Sequence, residues 1–470
     1  MKKFLPALFL LGASLQAAAA PSSPYASTPW PAAHADGQNS GRVDFPLPVR
    51  EAISFRIKKD YPFFQAVTLG PTGLLYATSG KAKGASNLFA LDKKGHVVWE
   101  APAYQGPRDL DSGAMFSAPV IDEKGDLYLT DSNQFWAFHG NGRIKWVRPL
   151  PKGAKPAFSV QFMGNSVVAV TGDGRVVALK RATGRPAAPV LPLPGVYAPD
   201  APRPPGERSS LGIIRTPVLV DPEIAELAAD AFAGLGWAVA NTPAVHPFKP
   251  RLFIAARTPE GSQILFAVDL DEKRKKLAVA FSTVLSQERS AVSPAVSPDG
   301  KKLFINQGRT QLATLDTETG KILWSQKLGF TLLAGPSVGA DGTVYLSAKS
   351  IVALEPETGE IRWSRDFSFL APDALPRQLF PDSVITVSPN ALYLVVWAKG
   401  KAYFVILNPK DGSLLADPLL LEASSEAYVT VDKDGCAYVS HYGIISNKEN
   451  GGGITALCPP QENQGKEGDG

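Results

Sequence analysis

The sequence predicts an all-β fold: an eight-bladed β-propeller of four-stranded antiparallel blades, with seven as the alternative count and one short helical insertion. Three observations carry this. The stretch LDTETGKILWSQKL (residues 315–328) returns 39 residues later as LEPETGEIRWSRDF (residues 354–367), and a period of that length marks a stacked repeat architecture. Within each repeat, short runs of alternating polarity such as Val344-Tyr345-Leu346 are separated by Asp-Gly or Thr-Gly pairs, the pattern of short strands joined by tight turns. Finally, 42 glycines and 41 prolines among 470 residues favour turns over long helices.

Taken in chain order, residues 1–19 read as a cleavable signal peptide: two lysines, an apolar run over 4–11, then small residues. The run falls far short of the roughly 20 residues a membrane-spanning helix needs, and no cysteine stands near Ala19 to take a lipid anchor. Export to the periplasm or outside the cell is expected, with no transmembrane segment. Cleavage removes Lys2 and Lys3 and so halves a formal net charge of only +4. Such a weak field excludes nucleic acid as an electrostatically recruited partner.

Residues 20–48 are expected to be an extended segment. His34, Asp36 and Asn39 within it form a weak polar cluster, read as a hydrogen-bonded seal on the ring in preference to a metal or catalytic site, because buried polar groups must be satisfied. Residues 49–57, VREAISFRI, alternate like a strand and are expected to complete blade eight, closing the ring and removing open edges.

The propeller proper is assigned to residues 49–458. Four units are close copies, ending in Trp99, Trp146, Trp324 and Trp363, and weaker units occupy 158–194, 241–285, 383–421 and 425–458. Glycines such as Gly320 and Gly359 supply the positive φ of a tight hairpin. The tryptophan four residues later supplies apolar area where neighbouring blades meet. Trp99, Trp146, Trp324, Trp363, Gly320 and Gly359 are therefore read as blade-docking residues, since repeated aromatics are core far more often than ligand contacts.

Residues 192–240 interrupt the repeat. A proline-rich loop leads to DPEIAELAADAFAGLGWAVA, where Ile224, Leu227, Ala228, Ala231 and Phe232 fit helical spacing, with Asp221 as cap and Pro222 in the first turn. Such an insert either builds a binding face or caps a weak blade. Cys436 and Cys458, the two cysteines of the chain, are expected to pair in an oxidising compartment. Residues 459–470 read as a disordered tail.

Other constellations reduce to turns. GNGR (140–143) and GDGR (172–175) precede no helix that could cradle phosphate, DEKGD and DKDGC lack the later glutamate of a calcium loop, and DEKRKK (271–276) reads as a solvated hairpin tip. The five histidines lie too far apart to suggest a metal site.

DTETGKILW (316–324) and EPETGEIRW (355–363) resemble the outer-strand motif Asp-x-x-Thr-Gly-x-x-x-Trp of the pyrroloquinoline-quinone-like (PQQ-like) propeller repeats, and the resemblance extends from about residue 30 to residue 458. WPAAHADGQNSGR (30–42) looks like the opening segment of such proteins. The family includes quinone-dependent alcohol and sugar dehydrogenases, and non-enzymatic propellers such as a subunit of the outer-membrane barrel assembly machinery. For the enzymes it implies a disulfide between adjacent cysteines against the quinone, a calcium held by Glu and Asn, and an Asp base. Cys436 and Cys458 are not adjacent, and no Cys-x-x-Cys-His haem motif occurs. The expected function is thus a binding or assembly scaffold of the cell envelope, a monomer that needs no cofactor and meets an envelope protein or peptide through funnel or blade-edge loops. The alternative is a quinoprotein alcohol or sugar dehydrogenase carrying PQQ and calcium. Catalytic and cofactor-binding residues are not identifiable from sequence.

Overall fold

The computed structural model describes residues 23–50, 52–196, 220–233, 236–288, 292–332, 334–348, 350–370, 379–380, 383–399, 401–421, 428–442 and 451–460. The expected signal peptide (1–19), most of the proline-rich loop and residues 461–470 of the expected tail lie outside these residues. Eight antiparallel sheets occur among them, and the inner strands of successive sheets are neighbours around a central axis. Blades 1 to 3 run from Thr68–Leu69 to Val97–Glu100, from Val120–Ile121 to Ile144–Pro149, and from Ala157–Met163 to Leu191–Pro192. Blades 4 to 6 run from Ala244–Val245 to Lys276–Ser286, from Ala295–Val296 to Ile322–Lys327, and from Ser337–Val338 to Ile361–Asp366. Blade 7 spans Thr386–Val387 to Leu419–Leu421, with Leu379–Phe380 adding a fifth strand. Blade 8 begins at Val429–Val431 and takes its outer strand, Ala52–Ile57, from the other end of the chain.

Eight blades therefore settle the count. Pro192, placed by sequence at the start of the insert, belongs instead to the short outer strand of blade 3, where it pairs with Arg175.

The seams between blades explain the repeated motif. Each aromatic side chain of an outer strand lies over a hairpin glycine of the following blade: Trp99 over Gly142, Trp146 over Gly184, Trp324 over Gly359 and Trp363 over Gly412. All four glycines have positive φ, and a Cβ at Gly359 would come within 2.5 Å of the Trp324 ring. Each indole N–H then donates to a backbone carbonyl just ahead of its glycine: Trp99 to Gly140 at 3.0 Å, Trp146 to Arg181 at 2.9 Å, Trp324 to Pro356 at 3.1 Å and Trp363 to Pro409 at 3.0 Å. At three seams a tyrosine hydroxyl joins it on the same carbonyl, from Tyr76, Tyr128 and Tyr345. A large apolar area is buried while the one polar atom of the ring stays satisfied.

Two more seams use phenylalanine. Phe281 of blade 4 lies over Gly320, and Phe55 of blade 8 lies over Gly95. Blades 3 and 7 carry Ala188 and Ala416 where the tryptophan would stand. At the seam between blades 3 and 4 the receiving glycine is missing as well: the hairpin of blade 4 turns through Lys275, at φ 52°. Glu272 of that hairpin reaches back instead, accepting from Ser166 Oγ at 2.6 Å and Asn165 Nδ2 at 3.3 Å.

Cys436 and Cys458 form a disulfide. Cys458 ends the strand that pairs with the N-terminal strand, opposite Ala52, so the covalent link and the non-covalent closure of the ring meet in blade 8.

Four stability measurements check this account. Trp324→Ala should cost about 3–5 kcal/mol in chemical denaturation, and Gly359→Ala about 2 kcal/mol through its positive φ and the ring above it. Gly106→Ala, where a Cβ meets nothing within 4 Å, should stay within about 0.5 kcal/mol of the native protein. Replacing both cysteines with serine should lower stability by about 3 kcal/mol, the loop-closure value for a separation of 22 residues.

Candidate functional site

The axis of a propeller is where its loops converge, so the two mouths of the channel are the natural place to seek a site. One mouth lies at the tight turns that follow the inner strands. Here the N-terminal segment runs around the ring as a strap. Its carbonyls accept the amides at the ends of the inner strands: Trp30 from Leu69 at 2.8 Å, Pro31 from Ile121 at 2.9 Å, Gly37 from Val245 at 2.6 Å, Gln38 from Val296 at 2.9 Å, Ser40 from Val338 at 2.8 Å and Gly41 from Val387 at 2.8 Å. These backbone bonds tie six blades. Blade 3 is reached through Tyr25, whose hydroxyl donates to Gln161 Oε1 at 2.6 Å and accepts the Phe162 amide at 3.1 Å.

The residues singled out in this strap do not meet at one point. Asp36 folds its carboxylate back on its own turn, accepting from the Gln38 and Ser40 amides and the Ser40 hydroxyl; burial pushes its pKa up. Asn39, at φ 58°, links blades 3, 4 and 5, donating to the Thr242 and Pro294 carbonyls at 2.9 Å each and accepting from Gln161 Nε2 at 3.3 Å. His34 sits edge-on to Tyr428, its Nε2 buried without a partner, and burial lowers its pKa to about 3. It is therefore neutral. Among the described residues no group of three or more His, Cys, Asp or Glu is placed to hold a metal ion.

The opposite mouth is covered by the insert. Helix α1 (Pro222–Ala233) begins where Asp221 Oδ1 accepts the Glu223 amide at 3.0 Å. Its face of Ile224, Ala228 and Ala231 is buried against Phe64, Met115, Phe116, Phe158, Trp237 and Tyr442. These come from blades 1, 2, 3 and 8 and from the segment after the helix. Their rings touch in sequence: Tyr442 to Phe64 at 5.1 Å, Phe64 to Phe158 at 6.5 Å, Phe158 to Phe116 at 5.2 Å and Phe116 to Trp237 at 5.7 Å. All four contacts are tilted or edge-on, the geometry favoured by aromatic quadrupoles. The side chain of Phe232 lies outside the described residues.

Sequence reasoning located the helix and its cap but not this aromatic ring. Phe64, Phe116 and Phe158 sit in corresponding places near the starts of the inner strands of blades 1 to 3, a recurrence that comparing those positions across units exposes. The tryptophans Trp99, Trp146, Trp324 and Trp363 stand on outer strands, away from both mouths.

Comparison with known proteins agrees with this architecture. The family model described as outer membrane protein assembly factor BamB matches residues 41–188 and 262–443. No curated protein sequence matches. Among solved structures, BamB from Moraxella catarrhalis aligns at 15% identity, covering 88% of this chain and all of that one, with a TM-score of 0.53. A europium-containing methanol dehydrogenase aligns at 10% identity over 92% of this chain and 98% of its own, with a TM-score of 0.62. Quinohemoprotein alcohol dehydrogenase from Comamonas testosteroni aligns at 12% identity over 91% and 80%, with a TM-score of 0.59. At such identities the solved structures speak for the fold alone. With eight blades, the outer-strand tryptophans seated on glycine, and a family match over more than half its length, the chain belongs to the PQQ-like β-propeller family whose model is described as outer membrane protein assembly factor BamB.

Proposed function

We propose that this protein is an exported β-propeller that serves as a binding or assembly scaffold in the cell envelope, engaging a protein or peptide partner through its exposed loops and blade edges. The observation that carries this reading is that the chain fills its own axis, with the N-terminal strap at one mouth and α1 over an aromatic cluster at the other. What remains open to a large partner is the turn-bearing face and the rim, surfaces suited to extended contact or to strand addition. The family match, to a model described as an assembly factor, points the same way. Export rests on residues 1–19, and the disulfide suits an oxidising compartment. No helix among the described residues is long and apolar enough to cross a membrane.

The alternative, a PQQ-dependent alcohol or sugar dehydrogenase, is favoured by the dehydrogenases among the solved structures. The residues at the funnel do not suit that cofactor. A planar quinone needs a slot between flat faces, whereas the rings under α1 meet one another edge-on or tilted. The disulfide lies at the turn-bearing end of blade 8, beside Gly435, not among those rings.

Crosslinking in intact cells followed by affinity capture of the tagged protein should return one protein partner in stoichiometric yield, and capture should weaken when exposed rim loops are altered in a protein that still folds. Titration of the purified protein with PQQ and calcium should leave the absorbance spectrum of the quinone unchanged. Stoichiometric uptake with dye-linked oxidation of alcohols or sugars would transfer the assignment to the enzyme.

A further inference from the structure

Where α1 docks on blades 1 and 2, carboxylates face one another without a cation. Asp111 caps the short helix Ser112–Phe116, its Oδ1 accepting the Gly113 amide at 2.8 Å and the Ser132 amide at 3.1 Å. Asp131 lies beside it, fully buried. Its carboxylate accepts the Asn133 amide at 2.9 Å, the Gln134 amide at 2.7 Å and the Trp136 indole at 2.7 Å, and faces the Asp111 amide at 3.4 Å. Every one of these donors is a neutral N–H.

The cap of α1 belongs to the same neighbourhood. The Asp221 amide donates to Gly80 O at 2.9 Å, and Gly80 packs directly on Met115, in the short helix that Asp111 caps. Met115 and Phe116 of that helix are part of the apolar surface on which α1 rests. The charge of Asp221 adds to the burial that pushes the Asp111 pKa up. Tyr104 faces the group too, its hydroxyl pushed up by desolvation and by Asp111, Asp221, Glu223 and Asp131. Of the nearby cations, Lys81 is engaged with Asp60 at 3.7 Å, and Lys155 lies over the Trp237 ring beyond the other end of the helix. In the connection between blades 1 and 2, Arg108 makes no ion pair with these carboxylates, and Asp109 accepts the Gln105 and Gly106 amides. Among the described residues no lysine, arginine or histidine forms an ion pair with Asp111, Asp131, Asp221 or Glu223.

We propose that this carboxylate junction is an acid-set latch on the cover of the funnel: a proton held between Asp111 and Asp131 seats the N-terminal end of α1, and full ionisation loosens it. Like charges in a dry site repel strongly, and the helix cap is the one member of the group able to move away, since Asp111 and Asp131 are fixed in blade connections. Desolvation, then the charge of Asp111, raises Asp131 to about 7, and Asp111 moves the same way. The share of these shifts that depends on seating, the charge of Asp221 acting on Asp111, favours the seated state while the pair holds its proton. That contribution falls away as pH rises towards 7 and is gone above it. The latch concerns access to the aromatic cluster and stands whichever partner the scaffold takes.

Hydrogen exchange of residues 222–233, corrected for intrinsic rate, tests it on the full chain. Protection should be at least about tenfold greater at pH 5.5 than at pH 8, tenfold being one pKa unit, while strand Ile322–Lys327 shows no pH response. In Asp131→Asn and Asp111→Asn the difference should shrink to within about twofold, the size expected without a titrating group. Asp221→Asn, which keeps a good cap and lies outside the buried pair, should raise protection of α1 at pH 8 and leave it unchanged at pH 5.5. The proposal is overturned by equal protection of α1 in the native protein at the two pH values, by an undiminished response in a folded Asp131→Asn or Asp111→Asn variant, or by Asp221→Asn leaving protection at pH 8 unaltered.

Discussion

The ring depends on one contact made over and over: an aromatic side chain from the outer strand of one blade, seated on a hairpin glycine of the next. A blade is a small sheet with two faces to bury, and only its neighbours can bury them. The contact imposes three demands on one residue. It must take positive φ to turn the hairpin, as Gly359 does at 75°. It must present no Cβ, because Trp324 occupies that space, and its turn must leave a carbonyl free for the indole, as Pro356 does. Only glycine meets the first two cheaply. In Gly-x-x-x-Trp the glycine therefore receives the preceding blade and the tryptophan reaches the following one. A single motif is half of two seams.

At one seam where this contact fails, the fold is elaborated. Blade 3 offers Ala188 in place of the tryptophan, blade 4 offers Lys275 in place of the glycine, and the long insert leaves the chain between those two blades. With no outer-strand aromatic to seat on a glycine, the seam relies on Glu272 hydrogen bonds and on apolar packing of Val168, Val170 and Val176 with Leu252, Ile254 and Phe266. An insert there disturbs no tryptophan seat. The opposite solution appears at blade 8, where two chain ends must be held together: Phe55 on Gly95 joins that blade to blade 1, and the Cys436–Cys458 disulfide secures the strand that pairs with Ala52–Ile57.

The repeat made the blades legible in the sequence because turn glycines and outer tryptophans recur at a fixed interval. Phe281 and Phe55 escaped that reading since neither stands four residues after a glycine, and their role follows only from the glycine each one covers. The tyrosines Tyr76, Tyr128 and Tyr345 recur three residues after a turn glycine, so their signal was present but overshadowed by the tryptophans. The strap was legible only as an extended segment. It works through main-chain carbonyls, which every residue type carries, so no side-chain pattern announces it. His34, Asp36 and Asn39 looked like a cluster because they are close in sequence, yet positive φ at Ala35 and Asn39 turns the chain between them and sends their side chains to different partners. The helix was legible from its 3.6-residue spacing, whereas the surface beneath it was not, because its aromatic side chains come from four separate blades.

The two mouths are held by different forces. At one, the polar groups of the inner-strand ends are engaged by the strap, while the other presents a cluster of mainly aromatic side chains covered by α1. The strap cannot retract cheaply, since doing so would strand the amides of six inner strands in a buried setting. Among the described residues the helix makes no comparable set of backbone bonds to the blades and rests on apolar contacts and its capped first turn, so it is the mouth held by the weaker class of force. Any change of state in this protein should therefore begin at α1, with the blades, locked by glycine and tryptophan, acting as the rigid frame against which it moves.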